Sequence, residues 1–225
     1  MMAQVPTNEP VTAHQGQPVL MGGVLINRAR AALVMIHGRG ATAQSMLALA
    51  SELPHPDFIY VAPQAADNTW YPHSFLNPIA SNEPYLSSAL RAVGEVLTHL
   101  VEAGLPHERV LLLGFSQGAC LALEYAARFA RRYGGVVGLS GGLIGPEGTP
   151  RNYAGSLDST PVFLGCSDND FHIPAARVLH SAHVMRRLGG QVTERLYPNL
   201  GHTINDDELE HVRTLMNNAA SSASR

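Results

Sequence analysis

Short apolar runs rich in Val, Leu and Ile recur along the chain, separated by longer stretches in which apolar residues return every three or four positions. Runs of four to eight such residues fit strands covered on both faces, and the longer rhythm fits amphipathic helices packed against them. The pattern predicts strands at residues 18–21, 24–26, 31–37, 58–62, 110–115, 135–139, 162–166 and 192–197. It predicts helices at residues 43–51, 84–103, 117–131, 174–188 and 206–217. Strands that alternate with helices in this way make βαβ units. The expected fold is therefore a single α/β domain with a mainly parallel central sheet, helices on both faces and no separate cap domain. The first two strands precede any helix and are expected to form an antiparallel edge.

Several element ends carry physical signals. Pro84 and Pro174 sit where a first-turn proline costs no hydrogen bond, and Gly104 and Gly189 suit left-handed C-caps. Asn205 with Glu208 three residues on reads as a capping box opening the last helix. The polar residues 1–17 are expected to form a flexible N-terminal segment, 18–219 the folded domain and 220–225 a flexible tail. Residues 64–83 break the rhythm with an aromatic stretch, Trp70-Tyr71-Pro72-His73-Ser74-Phe75-Leu76. A connection of that length is often functional, and one leaving the carboxyl end of a strand lies where α/β folds bind ligands. Trp70, Tyr71 and Phe75 are thus candidate pocket walls, joined by Phe171 from a later strand-end loop; the aromatics could equally serve to cover the sheet edge.

Gly114-Phe115-Ser116-Gln117-Gly118 directly follows the run 109–113 and directly precedes a helical pattern. Strand, sharp turn and helix are the context of a nucleophile elbow, in which the serine hydroxyl stands exposed at the head of the sheet. A second pentapeptide of the same form, Gly138-Leu139-Ser140-Gly141-Gly142, leads into Gly145, Pro146 and Gly148, where no helix can start. Ser116 is the expected nucleophile and Ser140 a strand-end loop residue.

A serine hydroxyl needs a base to take its proton and an acid to orient that base. The loop after the strand at 192–197 supplies Gly201-His202, and the loop after the strand at 162–166 supplies Asp168 and Asp170. Spacing hardly separates the two aspartates. The oxyanion that forms on attack needs two N–H donors, expected from the backbone of Gln117 and of Arg39 within His37-Gly38-Arg39-Gly40.

Composition narrows the partners. Charged residues make up 15% of the chain and the net charge is −3, which offers no basic field for nucleic acid. No stretch approaches a membrane span or a secretory leader, so a cytoplasmic protein without stable membrane insertion is expected. Cys120 and Cys166 each lie in an apolar run and read as buried thiols, and no histidine pair has zinc-protease spacing. The expected partner is a small-molecule ester substrate, with no cofactor and no metal; a homodimer is left open.

With these pieces in order, the chain resembles the phospholipase/carboxylesterase family of α/β-hydrolases, which includes acyl-protein thioesterases and small bacterial carboxylesterases. The resemblance spans about residues 31–217 and is carried by His37-Gly38-x-Gly40, Ala62-Pro63, Trp70, Gly114 to Ala119, Leu139-Ser140-Gly141, Asp170-x-x-Ile173-Pro174 and Gly201-His202. It implies an α/β-hydrolase fold, Asp170 as the acid and Arg39 as the second oxyanion donor. The implied activity is serine carboxylesterase on short to medium acyl esters, with acyl-protein thioesterase or lysophospholipase as the neighbouring reading and a non-catalytic receptor of the same fold as the distant one. Arg39 departs from the apolar residue often found at its position; its guanidinium would either receive an acidic substrate group or pair outward with a carboxylate. The aromatic loop also departs from the thioesterase acyl-channel segment.

Overall fold

The computed structural model describes residues 12–221. Among the described residues, seven strands form one sheet: β1 (Val19–Gly23), β2 (Ala31–Ile36), β3 (Phe58–Pro63), β4 (Val110–Phe115), β5 (Gly135–Leu139), β6 (Pro161–Ser167) and β7 (Gln191–Tyr197). Their spatial order is β1-β3-β2-β4-β5-β6-β7, with β1 antiparallel to β3 and every other pair parallel. The helices α1 (Ala43–Leu49), α2 (Tyr85–Glu102), α3 (Gln117–Arg128), α4 (Ala175–Arg187) and α5 (Asp206–Ser221) cover it. No helix among the described residues is long and apolar enough to cross a membrane.

The strand period of two divides the core. Ala32, Val34 and Ile36 of β2 point to the face covered by α2, α3 and α4, whereas Ala31, Leu33 and Met35 point to the face covered by α1 and α5. Both faces of the central strands are apolar because both are covered, which is why these strands read as continuous runs in the sequence. At about 25 cal/mol per Å² of apolar surface removed from water, this double burial is the main favourable contribution to folding.

Three expectations change in the structure. Residues 24–26 form no strand; the chain turns instead into a short 3₁₀ helix at Ile26–Arg28, and β1 alone makes the antiparallel edge. The folded body begins before residue 18. His14 is buried, its ring reaching the Trp70 carbonyl at 2.9 Å and the Ala66 N–H at 3.1 Å, while its own N–H donates to Ser88 Oγ. At the other end α5 runs through Ser221, so the tail expected from 220 starts later. The expectations for residues 1–11 and 222–225 lie outside the described residues.

Parallel strands bring all their carboxyl ends to one edge of the sheet. The connections after β2 and β4 then depart in opposite directions, one through α1 to β3 and the other through α3 to β5. A crevice opens between the ends of β2 and β4, where α3 begins. It can form only because α3 sits hard against the sheet: a Cβ on Gly118 would lie 2.0 Å from the backbone oxygen of Ile36, and one on Gly114 would lie 2.1 Å from that of Gly118.

The capping box at the head of α5 forms as read from the sequence. Glu208 Oε2 accepts from the Asn205 N–H and Asn205 Oδ1 accepts from the Glu208 N–H, both at 2.9 Å. Glu208 is fully buried, and its Oε1 has no hydrogen-bond partner among the described residues. Burial pushes its carboxyl up from 4.5 to about 7 against the opposing pull of the Asn205 N–H, with Asp207 adding to the rise.

Two outcomes follow for stability. Gly118→Ala is expected to destabilise the fold by about 3 kcal/mol or more, because the clash is with backbone rather than a side chain that can move aside; urea unfolding midpoints measure it. Glu208 makes the folded chain hold a proton between pH 4.5 and about 7 that the unfolded chain has released, so stability falls as pH rises through that window. Glu208→Gln, which keeps the cap geometry, is expected to flatten that slope; an unchanged pH profile of the midpoint would count against the assignment.

Candidate active site

Ser116 joins β4 to α3 with φ 55° and ψ −118°, a conformation that only a tightly enforced turn holds for a residue with a Cβ. Its N–H donates to the Leu139 carbonyl at 2.9 Å, tying the turn to the neighbouring strand β5. Ser140 shares the positive φ, at 52°, but is fully buried with no hydrogen-bond partner for its Oγ among the described residues. The two pentapeptides thus differ in access: Ser116 lines a cavity and Ser140 does not.

The loops after β6 and β7 converge on Ser116. His202 Nε2 lies 2.9 Å from Ser116 Oγ and His202 Nδ1 lies 2.6 Å from Asp170 Oδ2. Asp170 Oδ1 accepts from the N–H groups of His172 and Ile173 at 2.8 and 3.1 Å. Burial alone would raise the Asp170 carboxyl, but the hydrogen bond from His202 and those two backbone donors outweigh it and hold the group below its ordinary range. Asp168 does different work. Its Oδ1 accepts from the Asn199 N–H at 2.9 Å and, with Ser167 Oγ accepting from the Gly201 N–H at 3.0 Å, fastens the loop that carries His202. Phe115 packs against the His202 ring with centroids 5.0 Å apart, and His172 meets it edge-on at 4.8 Å.

The backbone N–H groups of Arg39 and Gln117 stand at the ends of β2 and β4, and neither donates to a protein acceptor among the described residues. Their side chains share a task that the sequence does not signal. Gln117 accepts from the Trp70 N–H at 2.9 Å and donates to the Tyr71 carbonyl at 2.8 Å. Arg39 donates to the carbonyls of Tyr71, Pro72 and His73 at 2.8, 3.0 and 2.9 Å. Both residues therefore grip the same aromatic loop. Trp70 closes the arrangement by donating its indole N–H to the His37 carbonyl at 2.9 Å. Of the two readings of the Arg39 guanidinium, the outward pair with a carboxylate does not form among the described residues; the group clamps backbone oxygens instead.

A cavity of about 650 Å³ opens over Ser116 and His202. Of the four aromatic wall candidates, Tyr71 and Phe75 line it. Trp70 does not: it is 0% exposed, packed beneath the loop between the rings of His14 and His37. Phe171 is 79% exposed and lies outside the lining, which takes its neighbours His172 and Ile173 instead. Nothing in the pattern distinguishes Phe171 from His172, because a short loop has no period from which to read direction. Cys120 lies at the cavity floor and Cys166 beneath Asp170; both are buried, and burial pushes each thiol up to about 12. Among the described residues no three His, Cys, Asp or Glu side chains gather as metal ligands would.

Comparison with known proteins places this arrangement in a family. A crystal structure of a phospholipase/carboxylesterase from Dyadobacter fermentans superposes with a TM-score of 0.87 at 41% identity, covering 92% of this chain and 99% of that one. Acyl-protein thioesterase 1 of Saccharomyces cerevisiae is 26% identical over 219 residues, 88% of this chain and 96% of its own. Acyl-protein thioesterase 1 of Gibberella zeae is 30% identical over 119 residues, so this chain aligns with 50% of that relative's length. The family model described as Phospholipase/Carboxylesterase matches residues 25–219. From Leu25 to Ala219, the chain belongs to the phospholipase/carboxylesterase family, hydrolases of the α/β-hydrolase type.

Proposed function

We propose that this protein is a serine esterase that hydrolyses short to medium acyl carboxylic esters through an acyl-enzyme. The observation that carries the reading is the double contact of His202, one nitrogen on Ser116 Oγ and the other on Asp170. His202 Nε2 takes the Ser116 proton as Oγ attacks the ester carbonyl, and Asp170 holds the Nδ1 proton in place and stabilises the imidazolium. The oxyanion is received by the N–H groups of Gln117 and Arg39, the first at the positive end of α3; one such donor is worth about 3 kcal/mol in the transition state. His202 then gives its proton to the leaving alkoxide. Water, activated by the same imidazole, releases the acid and restores Ser116. No step calls for a cofactor.

The acyl range rests on the cavity. Its volume of about 650 Å³, with Tyr71 and Phe75 as walls, suits short and medium chains. A thioester reading is favoured by the names of the yeast and Gibberella zeae relatives. The same residues would run that chemistry, and rates on p-nitrophenyl esters beside acyl-CoA separate the two.

Ser116→Ala is expected to lower kcat on p-nitrophenyl butyrate by about 10⁴-fold or more and to abolish fluorophosphonate labelling. Asp170→Asn is expected to lower kcat by about 10³- to 10⁴-fold with the fold intact, because the imidazole loses its oriented tautomer. Ser140→Ala is expected to keep both labelling and activity. Labelling that survives in the Ser116 variant and vanishes in the Ser140 variant would overturn the assignment.

A further inference from the structure

Acidic and basic side chains are unevenly placed at the reaction cavity, with Asp170 set behind His202 rather than in the lining. Arg39, His73 and His172 line the cavity beside His202, and no aspartate or glutamate does, although the chain as a whole carries −3. Arg39 is the permanent cation of that set. Among the described residues the ion pairs are made by Arg128, Arg151, Arg186, Arg195 and Arg213, together with the His202–Asp170 contact, and none involves Arg39.

A neighbouring cavity of about 450 Å³ makes the contrast clear. It too holds arginines, Arg151 and Arg177, but Glu147 lines it and Arg151 lies 3.6 Å from the buried Glu124. Its lining carries charges of both signs, whereas that of the reaction cavity carries no carboxylate.

Arg39 is an exposed residue, but its guanidinium is anchored. Three of the five N–H donors of its guanidinium go to the carbonyls of Tyr71, Pro72 and His73. Carbonyl oxygens orient a guanidinium without cancelling its charge, and two N–H groups are left without a protein acceptor among the described residues. An anchored cation loses little rotational freedom when an anion arrives. With the backbone N–H of the same residue as the proposed second oxyanion donor, the charge would lie within one side chain's reach of the scissile carbonyl.

We propose that this cavity selects esters carrying a carboxylate a few bonds from the scissile carbonyl, with the Arg39 guanidinium as receptor and His73 and His172 at its rim. The substrate class is thus half-esters of dicarboxylic acids or esters of hydroxy acids, rather than neutral acyl esters. This selectivity rests on the reading of Ser116 as nucleophile.

The test compares matched esters, each corrected for its uncatalysed hydrolysis. One pair places the charge on the acyl side: mono-p-nitrophenyl adipate against p-nitrophenyl hexanoate. The other places it on the alcohol side: 4-acetoxybenzoate against its methyl ester. In at least one pair the anionic ester is expected to have about a tenfold or greater advantage in kcat/KM at low salt. That advantage is expected to shrink several-fold as salt rises from about 0.02 to about 0.5 M. In Arg39→Met both esters of the pair slow, because the loop clamp is lost, but the ratio falls to about 1. A neutral ester preferred in both pairs, or a ratio indifferent to both salt and Arg39→Met, overturns the proposal. Where the variant fails to fold, a ratio that does not change with salt in the unmodified protein overturns it by itself. Failure of the serine reading looks different: the wild type would hydrolyse neither ester and take up no fluorophosphonate.

Discussion

Ser116 stands in a backbone conformation that costs of order 1–3 kcal/mol, and it stays there because nothing around it can give way. β4 is the middle strand of the seven, flanked by β2 and β5, and α3 presses so close that a methyl group at Gly118 would overlap the backbone of Ile36. The apolar contacts on both faces of β4 offset that local strain. Once the turn is held, the head of α3 lies at the crevice, and the hydroxyl meets whatever the later loops bring. The geometry of the site is therefore set by core packing several residues away from it.

The second half of the site is held in a different manner. The Trp70 to His73 stretch forms neither helix nor strand, so its backbone polar groups need partners from elsewhere. Arg39 and Gln117 supply them through their side chains. The aromatic loop is thus tied to the segments that follow β2 and β4. The indole of Trp70 belongs to this scaffold rather than to the cavity, which is why a large aromatic in a long loop was a misleading sign of a pocket wall.

The two aspartates of the β6 loop show how finely such placement is divided. Asp170 faces His202 because the N–H groups of His172 and Ile173 close a turn around its other oxygen. Asp168, two residues earlier, turns to Asn199 and holds the loop of the histidine. One carboxylate orients the ring and the other the backbone that bears it. Arg39, by contrast, faces a cavity with no carboxylate in its lining, and that asymmetry gives the site a polarity of its own.

Much of this was legible from residues in order. The buried parallel strands, the helices between them, the caps at Gly104, Gly189 and Asn205, and the strand, turn and helix around Ser116 all depend on local pattern, and local pattern survives in a sequence. The reach of His14 into the body, the absence of a strand at residues 24–26 and the exchange of Phe171 for His172 in the lining did not. Each depends on which groups separated by tens of residues meet when the sheet closes, as His202 meets Ser116 across 86 positions. Chain order alone carries residue type and period, which settle the elements and the chemistry on offer. Direction, burial and partnership of a loop side chain are decided by its neighbours in space, and only the packed tertiary structure supplies those.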